Sequence, residues 1–250
     1  MPERDLARSE LPSDGRFATT RWTIVSTAAR RTESPETHKA LETLCQGYWF
    51  PLYAYLRRRG YGKDQAEDYT QAFFAHLLEK HGLQHVEQGK HRFRSYLLAS
   101  LNNLLIDDWR RKQSLRRGGD KRILSLEVDD AEHRYSLEPA DELSPEKLFD
   151  RSWALTVIRR ALEALRSEYE SAGKQKLFDG LKGQITQDRE AGSYREAAAD
   201  LGMSEGVARV TVHRMRARLG ELIRAEVAET VASPKQLEDE IGELFTALGE

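Results

Sequence analysis

The chain has almost no cysteine: Cys45 stands alone in 250 residues. A single thiol closes no internal disulfide and builds no cysteine-rich zinc site, and it reads as a small inert hydrophobe rather than a nucleophile. Long apolar runs are missing as well. No stretch reaches the length of a membrane span, and the charged first twenty residues hold no apolar segment of a secretory signal, so a cytoplasmic protein with no membrane contact is expected. Alternating strand patterns are nearly absent, which points to an all-α chain. The net charge is only -2 although charged residues make up 32% of the chain. Any surface for nucleic acid must therefore come from local segregation of basic side chains. No nucleophile paired with a base and no cluster of metal ligands stands out. The expectation is a binding protein and not an enzyme, with no cofactor and no catalytic or metal-binding residue.

What the chain does hold is a series of amphipathic segments separated by glycine, proline and charge. Residues 1–16, with Pro2, Pro12 and Gly15 among mixed charges, read as a disordered tail. A short helix is expected over 22–29. A longer one runs from about Glu36 through Leu44, Tyr48, Leu52 and Leu56 until Gly60 and Gly62 break it. The next, over 64–79, packs through Ala66, Tyr69, Phe73 and Leu77, a stripe widened by Phe74 and Leu78. Asp64, Glu67 and Asp68 in its first turns either complement the helix dipole or form a docking face for a basic partner.

The helix over 92–112 packs through Leu97, Leu98, Leu101, Leu104 and Leu105, while Arg92, Tyr96, Asn103, Asp107 and Arg110 share the opposite stripe and Arg111 extends its charge. A ring to stack on, an amide to bond a base edge and guanidinium groups for the backbone are the ingredients of single-strand recognition. A basic helix end that merely complements its own dipole is the other reading. From 118 to 145 the periodicity fades and carboxylates dominate, as in a linker between domains. Ser144 and Pro145 then start a helix through Leu148, Trp153, Val157, Ala161 and Leu165. A weaker helix is expected within 174–186. Ser233 and Pro234 open a last helix whose apolar side, with Leu237, Ile241, Leu244, Phe245 and Leu248, needs a partner.

The segment 193–219 reads as a helix, a turn at Gly202 and a second helix capped by Ser204. Ala208, Val212, Met215 and Leu219 fall on one side of that second helix, and Gly206, Arg209, Val210, His213 and Ala217 on the other. Between Gly206 and Arg218 there are four arginines, Arg209, Arg214, Arg216 and Arg218, and no carboxylate. Helix-turn-helix DNA recognition and an ordinary helix pair with a solvated basic face both fit.

Three motifs in order decide between these readings. Asp68 to Phe74 is similar to the Asp-x-x-Gln-x-x-Phe signature of bacterial RNA polymerase sigma factors of the extracytoplasmic-function group. Asn103 to Arg110, NLLIDDWR, resembles that group's Asn-x-x-x-Asp-x-x-Arg, and Ser204 to Arg214, SEGVARVTVHR, resembles its second region 4 helix. Val207, Ala208 and Thr211 depart from the usual residues there, and the usual Leu-Pro before region 4 is missing.

The resemblance implies two small helical domains, a sigma region 2 bundle and a region 4 helix-turn-helix, joined by an acidic linker. The divisions are a tail at 1–16, region 2 at 17–117, the linker at 118–145, region 4 at 146–225 and a C-terminal helical extension at 226–250. It implies that Asp64, Asp68, Gln71 and Phe74 bind core RNA polymerase. Arg92, Tyr96, Asn103, Asp107, Arg110 and Arg111 would meet the single-stranded minus-ten element. Ser204, Gly206, Arg209, Val210, His213 and Arg214 would read the minus-thirty-five element. Core polymerase and promoter DNA are the implied partners, with an anti-sigma factor or a Ser/Thr kinase as candidate regulators. The competing reading is a dimeric helix-turn-helix regulator that works without polymerase; a more remote one is an RNA-binding protein.

Overall fold

Serines start the helices where the sequence places them. The Ser144 hydroxyl accepts from the Lys147 backbone N–H at 3.3 Å, Ser204 from Val207 at 3.4 Å and Ser233 from Gln236 at 3.3 Å, each satisfying an otherwise orphaned donor. Pro145 and Pro234 follow at the first helical position, where a missing N–H costs nothing. The computed structural model describes residues 34–79, 92–114, 128–137, 143–186, 193–231 and 233–249. The expected tail at 1–16 and the short helix over 22–29 lie outside these residues.

Among the described residues every regular element is a helix, so the chain is all-α. α1 (Pro35–Arg58), α2 (Lys63–Glu79) and α3 (Phe93–Ser114) form the N-terminal group. α4 (Val128–Ser136) follows, then the long α5 (Pro145–Ser171), the short α6 (Gln175–Leu181) and α7 (Gly183–Thr186), α8 (Ser193–Asp200), α9 (Glu205–Ala228) and α10 (Pro234–Gly249). α1 ends as Gly60 takes a positive φ of 90°, with Tyr61 N–H returning to the Leu56 carbonyl at 3.2 Å.

Two apolar cores result, and they do not divide at residue 146. The larger joins Leu52, Tyr53 and Leu56 of α1, Phe73 and Phe74 of α2 and Leu97 and Leu101 of α3 with Leu148, Phe149 and Trp153 of α5, Val227 of α9 and Leu244 of α10. The smaller holds Leu165 and Tyr169 of α5, Phe178, Leu181, Tyr194, Ala198, Ala208, Val212 and Met215. α5 and α9 thus run through both. At 27 and 24 residues they are roughly 40 and 36 Å long at 1.5 Å per residue, and α5 packs on α1, α9 and α10. α10 thereby finds the partner its apolar side requires, with Ile241 and Leu244 buried and Phe245 left 60% exposed.

The stretch expected as a linker contains α4, which lies on α1. Glu132 accepts from Arg57 Nη2 at 2.7 Å and Nε at 3.0 Å and from the Tyr53 hydroxyl. The Arg134 guanidinium sits 3.7 Å from the Phe50 ring centroid. Cys45 is partly buried in the same helix α1, and burial, aided by Glu42, pushes its thiol up to about 11. Alkylation by iodoacetamide at about pH 8 is expected to be on the order of a hundredfold slower in the folded protein than in urea, because the thiolate is the reacting species. Equal rates in the two states would refute that placement.

Candidate nucleic-acid interface

The turn between α8 and α9 is built by Gly202, whose φ of 65° is left-handed; its N–H bonds the Ala199 carbonyl at 3.1 Å and Met203 N–H reaches back to Ala198 at 3.0 Å. Ala208, Val212 and Met215 are buried. Gly206, Arg209, Val210, His213, Arg214 and Ala217 are all exposed, as is the cap residue Ser204. The recognition surface expected of α9 is therefore an open one. Arg209 pairs with Glu205 at 2.6 Å and lies 5.3 Å from the Tyr194 ring centroid. That guanidinium, with Arg195, holds the Glu205 carboxyl below its usual range. A phosphate or base approaching Arg209 must displace this carboxylate.

The remaining arginines of α9 divide. Arg216 turns inward and donates to the carbonyls of Ile185 at 3.1 Å and Gln184 at 2.7 Å, closing the end of α7. Arg218 bonds Glu168 at 2.7 Å and Glu221 at 2.6 Å. Both hold the domain together, and Arg209 and Arg214 remain on the open surface.

On α2, Asp64 and Asp68 are exposed. Gln71 and Phe74 are not: Gln71 is 7% exposed and donates to Glu67 at 2.9 Å, and Phe74 is 1% exposed against Phe73. Spacing puts the four on one side of a helix, but only the two aspartates are presented to a partner. On α3, Asn103, Asp107 and Arg110 are exposed, the last two 3.6 Å apart. The side chain of Arg111 lies outside the described residues. Tyr96 is half-buried and stacks on Phe93 with centroids 6.4 Å apart. The ring most open to a base is Trp109, 61% exposed and beside Ile106 at 46%. Sequence reading passed over it, although a tryptophan among charged residues near a basic helix end is a signal for a stacking surface.

Arg92 is not on an open stripe. It pairs with Glu240 at 3.3 Å and with Glu243, both on α10. Its neighbour Arg94, 5% exposed, bonds Glu240 at 2.6 Å, and also Asp150 of α5 and Glu243, under the Trp153 ring at 4.8 Å. Burial opposes the charge of Arg94, and Glu240 and Asp150 more than offset it, so its pKa is raised. Among the described residues no group of His, Cys, Asp and Glu could hold a metal ion, and none of their helices is long and apolar enough to cross a membrane.

Residues 51–115, from Pro51 in α1 through α3, match the sigma-70 region 2 family. The chain is also similar to the ECF RNA polymerase sigma factor SigE of Mycolicibacterium smegmatis, 27% identical over 182 residues. That match covers 73% of this chain, which spans 61% of the relative's length. No solved structure matches. A region 2 whose aspartates and aromatic surface stand open, followed by a helix-turn-helix with its outer side exposed, agrees with that likeness. The chain thus carries a segment matching sigma-70 region 2 and is similar, over most of its length, to an ECF RNA polymerase sigma factor.

Proposed function

We propose that the protein binds core RNA polymerase, brings it to particular promoters and favours opening of the minus-ten element by holding the displaced strand. It acts by binding, with no bond made or broken, in the cytoplasm where polymerase works. Asp64 and Asp68 supply the charged contact to polymerase, and buried Gln71 and Phe74 fix the helix that carries them. Asn103, Asp107, Arg110 and Trp109 form the surface for an unstacked base and its backbone. Arg209, Val210 and His213, with Ser204, Gly206 and Arg214 beside them, enter the major groove at the minus-thirty-five element. An anti-sigma factor or a Ser/Thr kinase would act as regulator.

The observation that carries this reading is the region 2 match over 51–115 in one chain with an exposed helix-turn-helix surface on α9. Its test is reconstitution with core polymerase on a promoter panel, read as specific transcripts. Asp68→Lys is expected to weaken core binding by about tenfold or more, because a like charge then faces a basic partner, while the thermal midpoint stays put. Binding of a palindromic duplex by the protein alone, with no transcript directed, would favour the dimeric regulator instead.

A further inference from the structure

We propose that α10 is a strap that occupies Arg92 with its own carboxylates and so competes with nucleic-acid phosphate for that arginine. This rests on the proposed function for the identity of the competing anion, the backbone of an opened promoter strand. Arg92 immediately precedes α3, the helix that carries the exposed Asn103, Asp107 and Trp109. A strand crossing that helix would meet its guanidinium. Glu240 and Glu243, one turn apart on α10, reach it first.

The two carboxylates have different standing. Glu240 is 3% exposed and tied to buried Arg94, an anchor little screened by salt. Glu243 is 42% exposed at its side chain, and Arg92 34%. The Arg92–Glu243 contact is the part an incoming phosphate can exchange while Glu243 keeps its other oxygen on Arg94 and the Glu240 anchor stays whole. The match of ligands is chemical: a carboxylate and a phosphate oxygen both accept from the same guanidinium fork. Removing the Glu243 charge therefore leaves Arg92 with only its 3.3 Å contact to Glu240, a carboxylate shared with Arg94, and raises the affinity of this surface for a polyanion.

The experiment uses the full chain and a mixed-sequence single-stranded DNA of about 20 nucleotides, followed by fluorescence anisotropy at low and moderate salt. Glu243→Gln is expected to tighten binding about three- to tenfold and to steepen the dependence of log affinity on log salt by about 0.7, the contribution of one added phosphate contact on a single strand. Adding Arg92→Gln to that variant reverses both changes. Asp239→Asn removes the same charge from the same helix without touching Arg92, and is expected to change affinity less than about twofold. Equal gains from Glu243→Gln and Asp239→Asn, or unchanged or absent binding in Glu243→Gln, overturn the strap. The core-polymerase arm is separate. A wild-type chain that fails to bind core polymerase sinks the sigma-factor reading, while the competition on naked DNA still stands or falls by its own result.

Discussion

Trp153→Ala is expected to lower stability by about 3–5 kcal/mol, in the range for truncating a buried tryptophan. Trp153 is 3% exposed on α5, lines a small cavity with Tyr48 of α1 and Val227 of α9, and carries the Arg94 guanidinium on its ring. Four elements meet at this one side chain. If region 2 and the C-terminal half folded as separate bodies, the loss would fall on α5 and its near neighbours alone. In the shared core it also reaches α1. Urea unfolding followed by circular dichroism gives the magnitude, and amide hydrogen exchange gives the distribution: exchange over 48–56 should accelerate together with that over 148–161. A loss under about 1 kcal/mol, or protection in α1 that does not change, would show that the larger core does not depend on α5.

The features legible in the sequence were those written in local spacing. The packing and open sides of α9 follow from the angular count through Ala208, Val212 and Met215. The serine caps follow from hydroxyls standing before apolar runs, and the turn at Gly202 from a glycine after the last packed residue of α8. Burial of Phe74 follows from the apolar stripe of α2, but that of Gln71 does not follow from its motif, because identity at a spacing says nothing of which neighbours later close over it. α4 was missed for a different reason. In a nine-residue helix where Ala131 is the one buried apolar residue among those whose side chains are described, attachment comes from Glu132 on Arg57 and Arg134 on Phe50, contacts that no periodicity announces. Nothing in local spacing singles out Arg94, since its partner Glu240 lies 146 positions away. Charged residues are seldom buried unless paired, so the pair could be seen only once the fold had brought α10 to α3.

That buried pair carries the second large effect. Glu240→Ala is expected to destabilise the protein by about 3 kcal/mol, at the lower end of the cost of breaking a buried ion pair. The cost stems mainly from what is left behind: Arg94 is 5% exposed and must keep its charge in a site where the strongest buried acceptor has gone. Asp150 and Glu243 remain beside it, both better hydrated, which is why the upper end of the range is not reached. Replacing both partners, Arg94→Met with Glu240→Leu, removes the stranded charge and should recover a large part of the loss, so the two single changes do not add. Thermal and urea midpoints of the four proteins of this cycle measure it, and limited proteolysis near 231–234 reports whether α10 has come away from α3. A coupling energy near zero would mean that α10 is held by Ile241 and Leu244 alone. A coupling of about 1–3 kcal/mol would make Glu240 the anchor that lets Glu243 alone yield to a phosphate.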